Sequence, residues 1–136
     1  MAIGTSAPIA IIFGEDDGDL YDAAIENDPV RLISAATFLE TSLVLEGRYG
    51  EAGGRELDLL VYRIALQVVA LTFEHVELAH RGFRKFGKGK HPAALNFRRL
   101  LRVHALKATG EPLLAKGADF RRTDLLLVAL EPKDGD

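Results

Sequence analysis

Apolar and polar positions fall into short blocks whose period changes along the chain. Ala2-Ile3 opens a short apolar strand. Thr5 and Ser6 carry side-chain oxygens suited to capping a helix, and Pro8 sits where a first turn tolerates it. Ile9 to Phe13 therefore reads as a helix closed by Gly14. Asp16, Asp17 and Asp19 precede Leu20, Tyr21, Ala24 and Ile25 at helical spacing, with the acids at the positive end of the helix dipole. Asn27-Asp28-Pro29 breaks that helix, and Val30 to Ile33 predicts a strand. Ser34 is an N-cap for a helix bearing Phe38, Leu39, Leu43 and Leu45, and Gly50 to Gly54 predicts a break. Leu57, Leu60, Val61 and Ile64 recur as on one face of an amphipathic helix. Gln67 to Leu71 is a short β-rich run, and Thr72 caps a helix through Val76, Ala79, Phe83 and Phe86. Gly87 to Pro92 reads as a basic glycine-rich loop, Phe97 to Ala108 as a helix with Gly110 as its C-cap, Pro112 to Ala115 as a strand, and Leu125 to Leu130 as a final strand.

Strands that alternate with helices argue for an α/β sandwich around a mostly parallel sheet. The 136 residues fit one domain, 1–136, with no repeat or linker. Apolar residues make up 48% of the chain, enough for a core, yet no apolar run approaches the roughly 18 residues of a membrane span. Met1 to Phe13 lacks the basic start of a signal peptide and reads as buried strand and helix. The absence of cysteine excludes a disulfide framework, a thiolate metal site and a cysteine nucleophile, and fits a cytoplasmic location. The net charge is −3, but Leu78 to Gly110 contains no acid and holds Arg81, Arg84, Lys85, Lys88, Lys90, Arg98, Arg99, Arg102 and Lys107. Such a face attracts phosphates, although ordinary solvated helix faces account for it equally well.

In an open parallel sheet, sites form beyond the carboxyl ends of the strands. Three segments meet that condition: the Gly4-Thr5-Ser6 turn, the Lys116-Gly117-Ala118-Asp119-Phe120 loop, and the helix after Ile33, which carries Glu40 between Phe38, Leu39 and Leu43. A carboxylate among apolar neighbours needs a partner such as a metal. A solvent-facing glutamate is the commoner alternative for Glu40, and turn chemistry is the alternative for Asp119 and Asp124. His75, His80, His91 and His104 show no zinc-binding spacing and receive no role. No phosphate-binding glycine loop or serine nucleophile elbow is present.

Several segments, in order, resemble one known family. Ile3-Gly4-Thr5-Ser6-Ala7 is similar to the I-D-T-S-A opening of the VapC toxins. Ile33-Ser34-Ala35-Ala36-Thr37-Phe38-Leu39-Glu40 resembles their I-S-A-A-T-x-x-E segment. Phe86-Gly87-Lys88-Gly89-Lys90-His91-Pro92-Ala93-Ala94-Leu95-Asn96-Phe97 resembles F-G-K-G-x-H-P-A-x-L-N-F, and the stretches Lys107 to Leu114, Lys116 to Phe120 and Thr123-Asp124 resemble the closing motifs. The resemblance implies a PIN-like three-layer α/β/α sandwich. It also implies a toxin that cleaves RNA as an endoribonuclease using Mg²⁺ or Mn²⁺, forms a homodimer and is held off by a cognate antitoxin. On that resemblance Glu40 and Asp119 are catalytic metal ligands, and Thr5, Ser6, Thr123 and Asp124 support the pocket. The residue types suit the chemistry, because a hard divalent ion takes oxygen ligands, activates water and neutralises phosphate charge.

Two family acids are substituted. The first falls at Gly4 and the third at Arg99, where a guanidinium that cannot deprotonate replaces a carboxylate. Arg98 to His104 can be encoded by codons that, read one base later, spell the family's Gly-Asp-Cys-Phe-Ala-Tyr, which points to a local frameshift. These departures define a second expectation, a degenerate PIN domain that binds antitoxin or RNA without cleaving. An unrelated α/β module that binds a small molecule is a third.

Overall fold

The computed structural model describes residues 1–86 and 110–115. The predicted loop at Gly87, the helix from Phe97, the Lys116 loop and the Leu125 strand lie outside them. The element order is β1 (Ala2–Ile3), α1 (Ser6–Phe13), α2 (Gly18–Glu26), β2 (Leu32–Ser34), α3 (Ala35–Tyr49), α4 (Glu51–Arg63), β3 (Gln67–Val69), α5 (Phe73–Phe86) and β4 (Leu113–Leu114). The strands form a four-stranded sheet in the order β3-β2-β1-β4. All three pairings are parallel, with Ala2 opposite Leu32 and Leu113, and Leu32 opposite Gln67.

β1, β2 and β3 step across the sheet in one direction. Right-handed crossovers therefore stack α1 to α4 on one face, and the contacts of α1 with α2, α3 and α4 agree. Met1, Ile3, Tyr21, Ile25, Ile33, Leu60, Ile64, Leu66 and Leu114 form the core between the sheet and these helices.

Local chemistry explains most boundaries. Gly14 ends α1 in the left-handed region at φ 67°, where a residue without Cβ is unstrained. Ser34 caps α3 by accepting the Thr37 N–H at 3.0 Å. The Thr72 hydroxyl likewise accepts the His75 N–H at 3.2 Å at the start of α5.

Three expectations are corrected. The break predicted from Gly50 to Gly54 is a single residue: Gly50, at φ 63°, turns the chain and α4 begins at Glu51. Gly53 and Gly54 lie inside that helix because a Cβ on Gly53 would stand 2.3 Å from the Leu45 carbonyl oxygen. The strand expected from Val30 starts at Leu32, since the Asp28 carboxylate accepts the Val30 N–H at 2.9 Å and holds a turn there. Finally, the apolar neighbourhood expected around Glu40 is only partial: Leu39 and Leu43 are exposed, and α3 turns Thr37, Thr41 and Leu45 inward.

Candidate active site at the carboxyl edge of the sheet

The ends of three adjacent strands define the site. β1 runs out at Gly4, which is buried, and Thr5 and Ser6 follow, half-buried at the start of α1. The Gly4 N–H donates to the Leu114 carbonyl at 2.9 Å, so the exits of β1 and β4 lie side by side. On the other flank, β2 passes into α3 with no intervening loop, Ser34 being both the last strand residue and the helix cap. The pairing of Ala2 with Leu32, carried two residues on, sets Gly4 level with Ser34. Glu40 stands half-buried in the second turn of α3. The Gly4 turn and the helix bearing Glu40 thus leave neighbouring strands at one edge, with the exit of β4 on the far side of Gly4.

Asp119, Thr123, Asp124 and Arg99 lie outside the described residues. Of the family's acid positions, those described are Gly4 and Glu40. A Cβ on Gly4 would meet the Ala115 Cβ at 3.0 Å and the Leu114 carbonyl oxygen at 3.3 Å, so any side chain there needs Ala115 to yield slightly. Among the described residues no three histidine, cysteine or acidic side chains are grouped to hold a metal ion. Glu40 alone is too small a donor set for Mg²⁺, which demands near-octahedral oxygen coordination. The described part of the edge does not by itself make a metal centre.

Two other features emerge. His75, given no role from the sequence, is buried, and its Nδ1 accepts the Thr72 N–H at 3.1 Å. With the reverse bond from His75 N–H to the Thr72 hydroxyl, it makes a capping box with histidine in the usual place of glutamate. The Thr-x-x-His spacing was visible, but histidine seldom carries that signal. At the opposite end of α1, a cavity of about 430 Å³ is lined by Ile11, Gly14, Glu15, Asp16, Gly18, Asp19 and Asp22. Arg81 and Arg84 of the basic stretch are exposed on α5.

The PIN-domain profile matches residues 1–126, and the chain belongs to that family. Its relatives place it in the VapC ribonuclease branch. It is 45% identical over 130 residues to Ribonuclease VapC30 of Mycobacterium tuberculosis, covering 96% of this chain and 99% of the relative. It is 44% identical over 128 residues to Ribonuclease VapC of Mycolicibacterium smegmatis, covering 94% and 99%. Two solved structures share the fold. Mycobacterium tuberculosis VapC20, a toxin that cleaves the sarcin–ricin loop, superposes with a TM-score of 0.74 at 16% identity, covering 93% of this chain and 97% of that one. VapBC2 of Rickettsia felis, bound to a fragment of promoter DNA, gives 0.69 at 19% identity, covering 96% and 98%. The α/β sandwich and the family expected from the sequence are both borne out. No helix among the described residues is long and apolar enough to cross a membrane.

Proposed function

We propose that this chain is the toxin of a toxin–antitoxin pair, an endoribonuclease that acts with Mg²⁺ or Mn²⁺ at the carboxyl edge of its sheet. Relatives along its full length carry the ribonuclease name. The observation that carries the reading is the shared edge, where the Gly4 turn and the helix bearing Glu40 leave adjacent strands. Glu40 supplies a carboxylate there, and Asp119, five residues after β4 in sequence, supplies the second. Thr5, Ser6, Thr123 and Asp124 support the pocket around them. The active form is a homodimer, and a cognate antitoxin covers the acidic edge, as the toxin–antitoxin pairing in the Rickettsia felis neighbour suggests.

The test is cleavage of a structured RNA by the purified protein. The reading expects cutting that requires Mn²⁺ or Mg²⁺, stops on chelation and is lost in Glu40→Gln. Cutting that persists in chelator, or is unchanged in Glu40→Gln, overturns it.

One observation favours a second reading, a binder that does not cut. Position 4 is glycine, and a Cβ there would stand 3.0 Å from the Ala115 Cβ. With Arg99 at another acid position, the binder takes up antitoxin or RNA through the same edge. It predicts no Mn²⁺ binding and no cleavage by the wild-type chain, with antitoxin binding retained.

A further inference from the structure

The packing of α3 runs against its own hydrophobic pattern. Its large apolar side chains Leu39 and Leu43 are 59% and 61% exposed, while Thr37 and Thr41 are fully buried. The same face buries Leu45, so the helix keeps one leucine inside, leaves two in water and gives the rest of its inner face to hydroxyls. The hydroxyls on that face are paired by buried hydrogen bonds. The Ser34 hydroxyl accepts the Thr37 N–H at 3.0 Å and bonds the Thr37 hydroxyl at 2.8 Å. One turn on, the Thr41 hydroxyl donates to the Thr37 carbonyl at 2.7 Å. Ser34 is also fully buried. Hydroxyls in a dry interior hold one geometry, because leaving them unpaired is costly, whereas an apolar stripe tolerates sliding.

We propose that Ser34 and Thr37 are positioning residues: the bonds joining the last residue of β2 to the first turn of α3 set the rotation of α3 against the sheet and thereby the place of Glu40 at the carboxyl edge. The inference rests on the assignment of Glu40 to the site. Glu40 follows Thr37 by three residues on the same helix, so a turn of α3 about its axis moves its carboxylate relative to the sheet edge.

The experiment is solution NMR on the metal-free protein, reading residual dipolar couplings of the α3 amides relative to those of β1 and β2. Ser34→Ala should shift the couplings of Thr37 to Leu45 as a rigid rotation, and Ser34→Thr, which restores the hydroxyl, should return them. Thr37→Val keeps the backbone bond to Ser34 and removes the hydroxyl pair, so it serves if Ser34→Ala does not fold, with a smaller shift expected. A melting temperature that falls while the couplings of both variants match wild type overturns the proposal and leaves Ser34 an ordinary cap. Neither metal binding nor cleavage enters the readout, so failure of the ribonuclease reading and failure of this one are seen separately.

Discussion

The Gly4 amide donates to the Leu114 carbonyl at 2.9 Å, joining the exits of two strands whose residues lie at opposite ends of the chain. That bond sets the residue after β1 beside the one after β4. It also fixes the one place at this edge where the family's first carboxylate is missing.

Restoring that carboxylate should strengthen ion binding. Gly4→Asp requires Ala115 to give by a few tenths of an ångström, because the new Cβ would otherwise stand 3.0 Å from it. Mn²⁺ affinity, measured calorimetrically, should rise roughly tenfold or more for the added ligand, about 1.4 kcal/mol. Combining it with Arg99→Asp should raise affinity further, since a fixed cation is exchanged for an anion. Unchanged affinity in both variants would place the ion elsewhere.

Gly53 is predicted to be intolerant of any side chain. Its Cβ would lie 2.3 Å from the Leu45 carbonyl oxygen on the facing helix, backbone that cannot swing aside. Gly53→Ala should cost about 1–3 kcal/mol in a urea melt by forcing α3 and α4 apart.

Ala65 predicts the reverse. It holds φ 50° just past α4, the only non-glycine residue with positive φ among those described. The Leu66 N–H donates back to the Val61 carbonyl at 2.9 Å, the closing bond of a left-handed helix terminus. Ala65→Gly removes the Cβ strain and should stabilise the fold by about 0.5–1 kcal/mol, read as a raised urea midpoint at an unchanged slope.

Asp28 gives the fold an acid-sensitive contact. The Val30 N–H bond holds its carboxyl below the ordinary 3.8, reinforced by the Met1 ammonium and by Arg31, against an opposing push from burial. The folded value is below the unfolded one, so the stabilisation is complete above the unfolded value and is lost as pH falls through the folded value. Asp28→Asn should lower stability at neutral pH, and the difference from wild type should shrink as the pH falls below the ordinary carboxyl value of 3.8. A difference that is the same at pH 3 and pH 7 would contradict this.

Most of the fold was legible in the sequence because the strands and the helix ends carry local signals. Ser34 and Thr72 were readable as caps, and the Leu57 to Ile64 stripe as a buried face. What escaped was set by close approach between elements. The glycines after Gly50 looked like a loop, yet Gly53 is a contact point between helices. Leu39 and Leu43 flank Glu40 in sequence, yet α3 leaves both exposed and buries Thr37 and Thr41 beside Leu45. Of the site, Glu40 and the Gly4 turn could be found because each sits just after a recognisable strand. Their common edge depends on strand order, which no local pattern encodes.

The most direct test of the account is a Mn²⁺ titration followed by paramagnetic broadening of amide signals. An ion seated at the carboxyl edge should broaden Gly4 to Ser6, the first turns of α3 through Glu40, and Ala115 first, and Glu40→Gln should abolish that pattern. Broadening that begins instead at Glu15, Asp16, Asp19 and Asp22, at the far end of α1, with the edge untouched, would contradict it.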